Sequence, residues 1–191
     1  MRVVGGEWRS RRLRGPGEGA GVRPSSDRLR ETLFNILGAG VEGRGFVDAY
    51  AGTGAVGIEA YSRGARPVVW VEGARAAAEV LELNLRDLGV GGVPEAVVLR
   101  RRLPAGLRQV AAVPGLPGAG FLFCDPPYDD LHAPERLLRE LALYPELMAD
   151  DGRVVIETRR GAELAAAVGR WRRQRVHPQG DSQLVFFAAA D

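Results

Sequence analysis

Two stretches of this chain combine residue types and spacing that can do chemistry. The first is Phe121-Leu122-Phe123-Cys124-Asp125-Pro126-Pro127-Tyr128, where an apolar β-prone run ends in a carboxylate, two prolines and an aromatic ring. The prolines fix the backbone and leave the Pro126 carbonyl free to accept a hydrogen bond. Such a pair of acceptors suits an aminated nucleobase. The exocyclic nitrogen of such a base delocalises its lone pair into the ring and is a poor nucleophile. If the Asp125 carboxylate and the Pro126 carbonyl accept its two N–H groups, the lone pair is localised for attack on a methyl group. Tyr128 would stack on the base. Asp125, Pro126, Pro127 and Tyr128 are therefore the candidate catalytic residues; the plain alternative is a proline-stiffened loop with a helix-capping Asp.

The second stretch is Asp48-Ala49-Tyr50-Ala51-Gly52-Thr53-Gly54-Ala55-Val56-Gly57. Gly52, Gly54 and Gly57 match G-x-G-x-x-G between a strand and a helix, where glycines allow a tight turn and close approach of a ligand to backbone N–H groups. Glu72 follows about 20 residues later at the end of the next strand, where an acid accepts hydrogen bonds from ribose hydroxyls. Alone, this fits a dinucleotide enzyme. Asp48 points elsewhere, because a carboxylate so close to a pyrophosphate is repulsive whereas a cationic amino-acid moiety tolerates it. S-adenosylmethionine carries such a moiety, an α-amino group beside a sulfonium, together with ribose hydroxyls. Asp48, Ala51, Gly52, Thr53, Gly54 and Glu72 are the candidate cofactor-binding residues, with a buried structural acid as the alternative for Asp48.

The elements that must position these residues follow from punctuation and periodicity. Leu29, Leu33, Ile36 and Leu37 recur at helical spacing behind the caps Ser25-Ser26-Asp27, and Gly38 stops the run. From Gly45 the pattern alternates. Strands are expected over 45–50, 67–71, 97–100, 120–124 and 153–157, and helices over 55–63, 74–88, 103–110, 134–148 and 162–168. Strands over 171–176 and 184–188 flank a Pro-Gln-Gly-Asp turn and must be antiparallel. This order predicts a single-domain α/β fold over residues 1–191. Its doubly wound, mostly parallel seven-stranded sheet ends in an antiparallel hairpin, preceded by a short β-hairpin over 1–14 and a helix over 25–38.

Composition sets the outer limits. Hydrophobic residues at 46% and charged residues at 26% are globular proportions, and Gly 26 with Pro 12 stays below the ~25–30% of low-complexity chains. No apolar run approaches the ~20 residues that span a bilayer, and no apolar segment backs the arginine-rich start. The expectation is a cytoplasmic protein with no membrane partner. His132, His177 and the single cysteine, Cys124, assemble no metal site. Every base is an arginine. Residues 1–30 carry net +5, 31–152 net −6 and 153–175 net +5, so basic ends flank an acidic middle and suggest a polyanion that touches part of the surface. On the N-terminal hairpin, Arg9, Arg11, Arg12 and Arg14 flank Trp8, a basic ribbon suited to RNA backbone contact with Trp8 stacking, and Arg23 lies just beyond it. Because the alternating pattern starts near Gly45, residues 1–14 are expected to be dispensable for folding. Arg100-Arg101-Arg102 and Arg170 to Arg175 offer similar chemistry, though the latter reads better as an edge strand protected by charge.

Glycine loop and Asp-Pro-Pro-Tyr together resemble the class I S-adenosylmethionine-dependent amino-methyltransferases. The segments Arg2 to Leu13, Arg23 to Asn35, Asp48 to Gly57 and Glu59 to Ala65 resemble the RsmD family, bacterial 16S rRNA (guanine-N2)-methyltransferases. The resemblance implies a Rossmann-like methyltransferase fold. It also implies methyl transfer from S-adenosylmethionine to the N2 amine of one guanine, in 16S ribosomal RNA within the small subunit or its assembly intermediate. One departure stands out. Where the family places an Asp or Asn against the adenine, this chain reads Leu99-Arg100-Arg101-Arg102-Leu103-Pro104, which leaves adenine to backbone and apolar contacts. Competing readings are a DNA adenine-N6 or cytosine-N4 methyltransferase, a nicotinamide oxidoreductase and a non-catalytic ribosome-assembly RNA binder.

Overall fold

The computed structural model describes residues 1–15 and 26–190. Strands β1 (Phe46–Ala49), β2 (Val68–Val71), β3 (Ala96–Leu99), β4 (Ala119–Cys124), β5 (Met148–Arg159), β6 (Ala167–Val168), β7 (Trp171–Gln179) and β8 (Ser182–Ala189) form one sheet in the order β3-β2-β1-β4-β5-β8-β7-β6. The first five pair in parallel and the last three are antiparallel. Helices α1 (Asp27–Leu37), α2 (Ala55–Ser62), α3 (Arg75–Asp87), α4 (Leu107–Ala111) and α5 (Ala133–Leu141) are their partners. Strands β1 and β4 are buried along their whole length because helices cover both faces of a parallel sheet. One core layer lies under α1, α2 and α3 and includes Leu33, Phe34, Ile58 and Leu81. The other lies under α4 and α5 and includes Leu107, Leu137, Leu141 and Trp171.

Three expected elements differ. The helix over 162–168 does not form, and an eighth strand, β6, takes its end. Leu164 and Val168 are spaced like a helical stripe, but the backbone is satisfied by β7: the Arg173 N–H donates to the Ala166 carbonyl at 2.9 Å and the Arg173 guanidinium to the Leu164 carbonyl at 2.8 Å. The helix over 134–148 stops at Leu141, and Pro145 opens a separate 3-10 turn, Pro145–Leu147. Because Pro145 has no N–H to give, the chain cannot continue the helix. The helix over 103–110 begins only at Leu107, after Pro104 and Gly106.

The N-terminal segment is the larger correction. Its two arms meet through one antiparallel bridge, Arg2 with Arg12. Val3, Trp8 and Leu13 are buried in the main core. Trp8 is 7% exposed and stacks on Tyr61, with ring centroids 5.1 Å apart and planes 8° from parallel. Its backbone N–H donates to the Ser62 hydroxyl at 2.9 Å. The N–H groups of Val4 and Gly5 each donate to the Glu59 carboxylate at 2.7 Å, and the Arg63 guanidinium donates to the same group at 2.9 Å. Glu59 is completely buried. Gly5-Gly6 is more than a turn signal, since a Cβ at Gly6 would fall 1.9 Å from the Ser62 carbonyl oxygen. The segment is therefore structural rather than dispensable, and Trp8 is a core residue rather than an RNA-stacking one. The sequence pattern missed this because the partner, α2, lies more than fifty residues downstream.

Removing this ring leaves a cavity against Tyr61. Trp8→Ala is expected to cost about 3–5 kcal/mol. Thermal unfolding checks it: the midpoint falls by roughly 6–20 °C, and a midpoint within about 2 °C of wild type contradicts the assignment.

Candidate active site

A cleft of about 700 Å³ opens at the carboxyl ends of the parallel strands, where ligands bind in open α/β sheets. Strand β1 brings Asp48 to its floor. The carboxylate is 2% exposed and accepts from the Gly57 N–H at 2.7 Å, which ties the end of β1 to the first turns of α2. The chain then leaves β1 through Tyr50, whose φ of 60° lies in the left-handed region, uncommon for a bulky residue and a mark of local strain. The Ala51 N–H donates to the Val71 carbonyl at 3.0 Å and the Gly52 N–H to the Glu72 carboxylate at 2.7 Å. Glu72 also accepts from the Ala74 N–H at 2.6 Å, so one side chain spans the glycine loop and the approach to α3.

Gly54 and Gly57 act behind the wall. A Cβ at Gly54, where φ is +86°, would fall 2.2 Å from a Leu81 methyl, and one at Gly57 would fall 2.2 Å from the Trp70 ring nitrogen. That Trp70 N–H donates to the Gly54 carbonyl at 3.2 Å. Asn84 of α3 donates to the Thr53 carbonyl at 3.0 Å and accepts from the Arg14 N–H at 2.8 Å, joining the loop to the N-terminal segment.

Burial pushes the Asp48 carboxyl up from 3.8 to about 8, against the Gly57 N–H, which pulls it down, and with the nearby Glu72 charge, which pushes it up. In the unliganded protein Asp48 is thus mostly protonated at neutral pH. The native state holds a proton that the unfolded state releases near pH 4. The stability carried by that proton is complete below this point and is lost as pH rises toward 8. Burial also raises the Tyr128 hydroxyl and the Cys124 thiol; Cys124 is fully buried and belongs to the core.

Strand β4 ends at Cys124, and the Asp125 N–H donates to the Ala49 carbonyl at 3.3 Å, holding the next turn over β1. Asp125, Pro126, Pro127 and Tyr128 all line the cleft, as do Asp48, Ala51, Gly52, Thr53 and Glu72. Of the expected cofactor-binding residues only Gly54 lies off the wall. The expected RNA-binding set is not brought to the cleft: Trp8, Arg9, Arg11, Arg12 and Arg14 lie elsewhere, and Arg23 lies outside the described residues. The Arg14 guanidinium pairs with Asp87 at 2.9 Å. Arg9 sits by the Gly5-Gly6 turn at the C-terminal end of α2, about 12 Å of helix away from the glycine loop.

Several further residues line the cleft without a signal in the motifs. Arg28 of α1 and Arg159 of β5 line the cleft, and the Arg159 guanidinium sits 5.3 Å from the centre of the Tyr128 ring. Glu157, 4% exposed, lies at the carboxyl end of β5 and accepts from the Tyr128 hydroxyl at 3.3 Å. Ser182 of β8 is 3.0 Å from the same hydroxyl. A glutamate closing the run Val154-Val155-Ile156 was the available signal. Among the described residues no group of three His, Cys, Asp or Glu side chains is placed to hold a metal ion, and no helix is long and apolar enough to cross a membrane.

The architecture and the motifs have counterparts. "Ribosomal RNA small subunit methyltransferase D" of Escherichia coli K12 is 37% identical over 128 residues, 67% of this chain and 60% of that protein, so the matched segment spans less than two thirds of that relative. The YlbH protein of Bacillus subtilis is 33% identical over 171 residues, 88% of each chain. Among solved structures, the yhhF protein of Escherichia coli superposes with a TM-score of 0.77 at 29% identity, covering 99% of this chain and 97% of that one. A hypothetical protein of Thermus thermophilus superposes with a TM-score of 0.78 at 30% identity, covering 100% and 99%. The family profile described as "Conserved hypothetical protein 95" matches residues 1–188. With that match over nearly its full length, the chain belongs to this family, the RsmD family that its opening segments resemble.

Proposed function

We propose that this chain transfers a methyl group from S-adenosylmethionine to the exocyclic N2 of a guanine in small-subunit ribosomal RNA. The observation that carries the reading is that the acids of the glycine loop and the Asp-Pro-Pro-Tyr turn open onto one cleft. The names of the relatives give the substrate class.

The residues fit the cofactor on their own chemistry. Asp48 is a buried carboxylate with one backbone donor, and a cationic ammonium compensates the cost of its ionisation. Glu72 keeps acceptor capacity for ribose hydroxyls beyond its two backbone donors. Ala74 and Ala77 supply apolar wall for the adenine, in keeping with the missing family acid. When bound, the cofactor supplies an electrophilic methyl on a sulfonium. Asp125 and the Pro126 carbonyl accept the two N–H groups of the guanine amine and hold its lone pair out of conjugation. The N–C bond forms as the S–C bond breaks, and Asp125 takes the proton that the alkylated nitrogen sheds. Tyr128, fixed through its hydroxyl by Glu157 and Ser182, presents its ring to the base.

RNA meets the protein at a basic rim. Arg28 and Arg159 are on the cleft, and the exposed Arg11 and Arg12 join them by way of Arg2, which pairs with Asp27 at the start of α1. The partner is the small subunit or its assembly intermediate, in the cytoplasm.

Two expected outcomes test this. If Asp48 must ionise to hold the ammonium, cofactor affinity by calorimetry rises about tenfold from pH 6 to 7, because the carboxyl titrates near 8. Asp48→Asn binds weakly with a flat profile, and a flat wild-type profile contradicts the role. Separately, Asp125→Ala retains cofactor affinity but loses methyl transfer by about 10²–10³-fold, read as N2-methylguanosine formed on purified small subunits. Near-normal turnover sinks the assignment of Asp125, and no N2-methylguanosine from the wild type sinks the proposed reaction.

A further inference from the structure

Among the described residues, Glu157 is the buried acid of the cleft that the reaction above leaves with only a supporting part. Strands β4 and β5 run parallel with Cys124 opposite Ile156. Asp125 and Glu157 lie two residues beyond the facing pair Phe123 and Val155, and the charges of both act on the Tyr128 hydroxyl. Residues facing each other across a sheet point to the same side, and here that side is the one where Phe123 and Val155 join the core under α1 and α2. Both carboxylates line the cleft. The cleft therefore presents two neighbouring carboxylates where the base must lie, with the Tyr128 ring beside them and Arg159 over that ring.

Base edges differ in what they offer such a site. Guanine alone presents two adjacent donors, N1–H and N2–H, on its Watson–Crick edge. Adenine presents an amine beside a bare N1, and cytosine an amine beside a bare N3. A carboxylate accepts only, so it matches guanine and meets an unpaired acceptor in the other two. Resting on the function proposed above, we infer that Glu157 is the specificity-determining residue that reads the N1–H of the target guanine, beside the N2 amine whose two N–H groups Asp125 and the Pro126 carbonyl accept. Burial and its place inside β5 fix the Glu157 carboxylate at the cleft. A buried acceptor left facing another acceptor is strongly disfavoured, and sites built on such hydrogen bonds discriminate by large factors.

The test uses small subunits reconstituted with RNA that carries either guanine or 2-aminopurine at the position the wild type methylates. 2-Aminopurine keeps the N2 amine but has a bare N1. Wild-type enzyme is expected to prefer guanine in kcat/KM by at least about 10²-fold. Glu157→Gln offers a donor amide to the bare N1. It is therefore expected to bring the guanine to 2-aminopurine ratio to unity or below. Tyr128→Phe, which removes only the hydroxyl through which Glu157 holds the Tyr128 ring, is expected to slow transfer while keeping the wild-type preference. A Glu157→Gln ratio equal to that of the wild type overturns the inference. So does a Tyr128→Phe ratio shifted as far as that of Glu157→Gln, which would make Glu157 a positioning residue for Tyr128. Should Glu157→Gln fail to fold, the wild-type ratio decides, and acceptance of both purines within about threefold overturns the inference. Wild-type enzyme that methylates neither purine overturns the proposed reaction itself, a result distinct from all of these.

Discussion

A carboxylate buried at the end of the central strand sets the geometry of everything around it. Asp48 lies in register with Trp70 on one side and Phe123 on the other, so both neighbours are large and apolar. Its bond to the Gly57 N–H fixes where α2 begins. That position puts the backbone of Gly57 against Trp70, where only glycine fits, and the Trp70 N–H in turn holds the Gly54 carbonyl. The loop cannot shift without breaking one of these contacts. Such an acid disfavours its own charged form in the unliganded fold. A perturbed group of this kind in a cleft points to function rather than to stability, and a cationic ligand supplies the missing partner.

A second buried acid does the corresponding work at the other end of the same helix. Glu59 gathers the Val4 and Gly5 N–H groups and the Arg63 guanidinium, and so welds the first residues of the chain to α2. Removing one partner of a buried charge costs more than the contact itself contributes, because the remaining charge is left uncompensated. The N-terminal segment therefore belongs to the platform that carries the glycine loop. Its exposed arginines extend a basic surface toward α1, while its apolar residues Val3, Trp8 and Leu13 are spent inside the core.

What the sequence revealed follows the range of the interactions involved. The glycine loop, Glu72 and the Asp-Pro-Pro-Tyr turn were legible because their chemistry is set by neighbours in sequence, and they do meet on one cleft. The parallel core and its antiparallel close were legible for the same reason, through alternating strand and helix periods. Trp8 was misread because a tryptophan among four arginines looks like a nucleic-acid contact until Tyr61 is found against it. The segment over 162–168 was misread because Leu164 and Val168 share helical spacing, while β7 claims the backbone. Glu157, Arg159 and Ser182 stayed hidden because they reach the site only when β5 and β8 pair beside β4.

The central claim is that this cleft methylates one guanine of the small subunit on its N2. It is tested most directly by mass mapping of methylated guanosines in small-subunit RNA from a strain lacking the gene. The account predicts loss of a single N2-methylguanosine, restored by the wild-type gene and not by one encoding Asp125→Ala. An unchanged methylation map, or loss of a methyl group from any other atom, would contradict it.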